Sequence, residues 1–174
     1  MRYVASVAAL LVCCVAPGPA AAGGESATFR GSCSLTGEVR FDPGLGATAL
    51  STTTHARAAG HCSGVLTLPD GSDRRLDDVL ASYRGRASGQ QSCAVGTTQG
   101  WSRLEVAGAT VRFELTETRL GAVAVIRLRD ATGETTVAAA SVSPSHDSLD
   151  QVLACARPDG LTRTPVAITT TSTP

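Results

Sequence analysis

Apolar and polar residues alternate along most of this chain, between turn-forming residues that recur roughly every ten positions. That period of two commits it to antiparallel β-structure, because successive side chains of a strand point to opposite faces. From Ala109 to Thr118, Val111, Phe113 and Leu115 point one way while Arg112, Glu114 and Thr116 point the other. Gly121 separates this strand from Ala122–Arg129, and a Thr132-Gly133 turn leads on to Thr135–Val142, so the three segments read as a meander. Nearer the N-terminus, Leu35, Val39 and Phe41 share a face, and Pro43–Gly46 forms a turn. A Thr- and Ala-rich strand follows over Thr48–Ala58. Cys62, Gly64, Leu66 and Leu68 then alternate as far as the Pro69-Asp70-Gly71 turn. Trp101–Val106 and Pro165–Thr170 complete the set. The expected fold is all-β and mainly antiparallel, a sandwich or partly closed barrel of about 8 strands. One short C-terminal helix is expected near 148–156, where Leu149, Val152 and Leu153 fall on one side and Gly160 lies beyond its end. Residues 73–83 carry helical spacing at Leu76, Val79, Leu80 and Tyr83, yet Val79, Ala81, Tyr83 and Ala87 alternate. The strand-rich context favours a strand over 79–88.

The first 22 residues read as a secretory signal. Arg2 supplies the charge, Val4–Val15 the apolar run, and Ala20-Ala21-Ala22 the cleavage site. Val12 before Cys13 does not fit a lipobox, so soluble export is expected. No later run approaches the roughly 20 apolar residues of a membrane-spanning helix. The expected organisation is a signal over 1–22, a disordered leader over 23–29, a single disulfide-bearing β domain over 30–171, and a frayed tail over 172–174. Removing the signal removes Cys13 and Cys14 and leaves Cys33, Cys62, Cys93 and Cys155. In an exported chain these are read as two disulfides, for which three connectivities are possible. Chain locality favours Cys33–Cys62 with Cys93–Cys155. A zinc site is disfavoured because no C-x-x-C pair is present among the four.

The chain holds 15 basic and 15 acidic residues, and every basic one is Arg. A balance this even gives no electrostatic footprint for nucleic acid, and none is expected as a partner. The string Ala58-Ala59-Gly60-His61-Cys62 resembles the segment around the general-base histidine of secreted chymotrypsin-like serine proteases. That family's Gly-Asp-Ser-Gly-Gly nucleophile run is absent, and a base without an attacking group does no acyl transfer. His55 lies too far along its strand to share a metal with His61, and His146 beside Asp147 reads as a loop. Glu105, Glu114, Glu117 and Asp77-Asp78 supply carboxylates for a glycosidase pair. Glu114 next to Arg112 and Thr116 looks instead like ordinary cross-strand charge pairing. Trp101 reads as a core anchor before it reads as a ligand platform. Gly96–Gly100 lacks the Lys of a phosphate loop. No catalytic residues, metal ligands or cofactor are therefore assigned.

The layout resembles that of small secreted four-cysteine β-domain proteins of actinobacteria. It is carried by Cys33 in a Gly-containing strand, Gly60-His61-Cys62-Ser63-Gly64, Ser92-Cys93, the 109–142 meander, and Cys155 ahead of Gly160-Leu161. The resemblance implies the fold and an extracellular location, and no activity. The expected function is that of a secreted, monomeric, non-enzymatic domain acting through its surface, a binding or envelope-associated module with a protein or cell-wall partner. The alternatives are a secreted hydrolase with a dispersed site including His61, and a protease inhibitor presenting a loop after Cys93.

Overall fold

A computed structural model describes residues 26–142 and 148–172. Eight strands form a closed antiparallel barrel in which every strand pairs with its neighbour in sequence. They are β1 (Thr28–Leu45), β2 (Leu50–Thr67), β3 (Asp73–Gln91), β4 (Val95–Val106), β5 (Ala109–Leu120), β6 (Val123–Asp130), β7 (Thr135–Val142) and β8 (Leu161–Thr171), with helix α1 (Ser148–Cys155) between β7 and β8. β8 returns to β1, with Ile168 opposite Leu35, and this pairing removes both sheet edges. Of the two architectures open to the sequence, the closed barrel is the one formed.

The strands are longer than the sequence segments. The segments expected over Thr48–Ala58 and Cys62–Leu68 merge into the single strand β2, Leu50–Thr67, and β4 starts at Val95 instead of Trp101. Gly60 and Gly100, which look like breaks in the sequence, sit inside these strands with other backbone pressed against them. A Cβ on Gly60 would lie 2.1 Å from the Ser34 carbonyl oxygen, and one on Gly100 would lie 2.0 Å from that of Arg86. Glycine here lets long strands coil tightly around a narrow barrel. Residues 73–83 are strand throughout, with a bulge between Cys62 and Gly64 of β2 and left-handed Asp78 opposite it. The domain also begins before residue 30. Ala27 bridges to Val111 and Phe29 is buried, so the end of the expected leader belongs to the wall. Ser172, expected to fray, bonds back to Gly31. Tyr3, His146 and Asp147 lie outside the described residues, as does all of the expected signal.

Inward side chains fill most of the lumen. Leu35, Leu66, Leu76, Leu104, Val106, Val111 and Phe113 are all buried, and with Ile168 and Ile126 they form one core. Cys33–Cys62 joins directly opposed residues of β1 and β2 within that core. Cys93–Cys155 ties the β3–β4 connection to the last turn of α1. Both bridges follow the pairing that locality favoured.

Candidate functional site: an arginine face on the outer wall

The residues singled out in the sequence do not converge. His61 is exposed on the convex outer wall between Ser34 of β1 and Leu80 of β3, and His55 is exposed six residues earlier on the same strand, between Arg40 and Arg86. Among the described residues no three His, Cys, Asp or Glu side chains gather closely enough to hold a metal ion. The segment after Cys93 is extended, but as β4, paired along its length with β3 and β5, so only residues 92–94 remain as a connection.

Glu117 does point inward. It is buried, bonds the Arg119 guanidinium at 3.0 Å, and receives the Thr98 hydroxyl at 3.4 Å. Arg119 in turn stacks 4.7 Å from the centre of the Phe41 ring. The pair borders a cavity of about 40 Å³, left open because Ala56, Gly85, Ala87, Ala124 and Ala140 present almost no side chain to the lumen. Such a space admits a few water-sized molecules and is roughly tenfold short of a pocket that buries a small organic ligand. Tyr83, on the same lumen wall, has its phenol pushed up to about 12 by burial, with the Glu117 charge adding to the shift.

The outer wall is where unusual chemistry collects. Strand register places Glu38, Arg57, Arg84, Arg103 and Arg112 in one oblique row across β1 to β5, each directly opposite the next. Four arginines thus stand shoulder to shoulder, their roots spanning about 15 Å at the usual spacing between strands. A second row, about 7 Å away along the strands, runs Arg163, Arg40, His55, Arg86, Trp101, Glu114 and Arg129 from β8 through β1 to β6. Arg103 and the row's Glu38 are partly covered, and the other arginines of both rows are exposed. Carboxylates answer two of the cations: Arg40 bonds Glu38 at 2.6 Å, and Arg103 lies 3.4 Å from Glu105. The Arg40 bond holds the Glu38 carboxyl below its ordinary value.

On this face Glu114 stands opposite Arg129 of β6, the cross-strand charge pairing expected of it, whereas Arg112 is paired with another cation, Arg103 of β4. One sequence expectation is overturned. Trp101 is 55 % exposed, points outward between Arg86 and Glu114, and is no core anchor. Some acidic residues sit at or beside the turns, Asp70 and Asp73 where β2 passes to β3 and Asp130 and Glu134 where β6 passes to β7, while Glu38, Glu105 and Glu114 share the wall with the arginines. Where the two rows end, Arg112, Glu114 and Arg129 border an open depression of about 600 Å³, roofed by the Ala131–Gly133 turn. Asp130, also on its rim, spends one carboxylate oxygen on the Thr132 amide, the Thr132 hydroxyl and the Glu134 amide. Signals for this face were present in the sequence as outward residues, but which arginines meet depends on the register of strands far apart in the chain. Set against known protein families, curated proteins and solved structures, the chain matches none.

Proposed function

We propose that this chain is an exported, non-enzymatic binding module that takes a polyanionic partner on its outer wall. One observation carries the reading: Arg57, Arg84, Arg103 and Arg112 are direct cross-strand neighbours. Like charges in that relation oppose folding, so a row of four calls for a compensating gain, and an anionic partner supplies it. Export is supported by the signal-like first 22 residues and by two disulfides, which persist in oxidising compartments. Among the described residues no helix is long and apolar enough to cross a membrane.

The test is retention on immobilised heparin, used as a generic polyanion, for the parent and for a variant with all four arginines changed to Gln. The parent is expected to bind with an affinity that falls at least about tenfold between roughly 50 and 200 mM salt. The variant is expected to keep its circular dichroism spectrum and to elute unretained. Equal retention of the two proteins would defeat the proposal.

A further inference from the structure

Resting on that reading, the geometry points to an anionic polysaccharide as the partner, laid across the strands with one sugar ring stacked on Trp101 and a charged group held between Arg112 and Arg129. The face has features a polymer can use in sequence. Its cations recur at each strand along the first row, so an extended chain running around the barrel meets a new guanidinium about every 5 Å. Each guanidinium offers a planar fork of donors that matches a carboxylate or sulfate. The depression lined by Arg112 and Arg129, and also by the carboxylates of Glu114 and Asp130 that can accept from sugar hydroxyls, gives the line an end, of a size that accepts one or two sugar units.

Trp101 separates the polyanion classes. Proteins that hold single-stranded nucleic acid stack successive bases on several aromatic side chains set along a basic groove. Here the wall is convex, and Trp101 is the one Trp, Tyr or Phe on the two rows, with the imidazole of His55 two strands away. A single platform suits the apolar face of one sugar, with the remaining attraction supplied by charge. An anionic lipid surface would want several apolar side chains to insert beside the cations, and along these rows Trp101 again stands alone. The expected extracellular location puts polysaccharide within reach.

The experiment titrates the protein with fluorescently labelled polygalacturonate, with oligothymidylate of matched charge, with phosphatidylglycerol vesicles and with neutral dextran, at one fixed salt concentration. Polygalacturonate is expected to bind at least about tenfold more tightly than oligothymidylate, and dextran and vesicles not measurably. Trp101→Ala is expected to lower polygalacturonate affinity about tenfold, with Trp101→Phe recovering most of it. Paired Arg112→Gln and Arg129→Gln changes are expected to reduce the salt slope by about 2. Because these side chains are exposed, unchanged thermal midpoints would separate loss of contact from loss of fold. Tighter binding of oligothymidylate or of vesicles, equal binding of dextran, or indifference to Trp101→Ala would each overturn the polysaccharide assignment. Those results leave the arginine face standing if the four-Gln variant still loses heparin. If that variant loses nothing, both proposals fall.

Discussion

The lumen and the arginine face of this barrel are built from the same strands, yet they contribute to stability with opposite signs. Inside, Leu35 is 1 % exposed and packs in a continuous core with Ile168 on the closing strand, and Cys33–Cys62 clamps β1 to β2 beside it. Outside, on β2, β3 and β4, Arg57 faces Arg84 and Arg84 faces Arg103. A barrel selected only for folding would alternate signs across those positions, since each opposite pair adds a few tenths of a kcal/mol. The core pulls the chain together, and the face spends part of that margin. Truncating Leu35 to Ala tests the first half of the contrast. It leaves a hole where β1 meets β8, at an expected cost of about 2–5 kcal/mol in urea unfolding. A loss below about 1 kcal/mol would mean that closure through β8 is not what the core depends on.

The lumen also predicts an alkaline limit. Tyr83 has its pKa raised from 10.0 to about 12 by burial and by the nearby Glu117 charge. Below pH 10 both folded and unfolded chains keep the phenol protonated, and the shift has no effect. Between about pH 10 and 12 the unfolded chain releases the proton while the folded one retains it, so stability falls as pH rises, by about 3 kcal/mol in total. Tyr83→Phe removes that dependence. The chain has two tyrosines, and Tyr3 leaves with the expected signal, so absorbance near 295 nm in the exported form follows Tyr83 alone. A phenol titrating near 10 would show that this part of the lumen is open to water.

The two regions were also unequally legible before the structure was known. Alternation in Ala109–Thr118 and the small turns after it marked β5, β6 and β7 to within about two residues, because each strand's inward set is local. The disulfide pairing followed from chain proximity for the same reason. Closure did not follow, since it rests on pairings such as Leu35 with Ile168, separated by most of the chain. The glycines misled in the other direction: Gly60 and Gly100 suggested ends of strands, whereas they are the points where strands bend against one another. The arginine face was the least visible of all. Sequence shows Arg84 between Tyr83 and Gly85, but its true neighbours, Arg57 and Arg103, are defined by register alone. Period-two patterning says that these residues face outward and is silent on what lies beside them.

The smallest expected effect is the sharpest test of the contrast. Arg84→Glu places a carboxylate between Arg57 and Arg103 and turns two repulsive neighbours into attractive ones. Each such exchange is worth roughly 0.2–1 kcal/mol at the surface. The variant should therefore unfold at a higher urea midpoint than the parent, with the gap narrowing in high salt as screening sets in. Heparin retention should move the other way and fall further than for Arg84→Gln. Gained stability with lost binding is the signature of a charge kept for a partner at the fold's expense. If Arg84→Glu instead lowers stability, the arginine row is holding the barrel together, and the distinction between a supporting lumen and a costly face disappears.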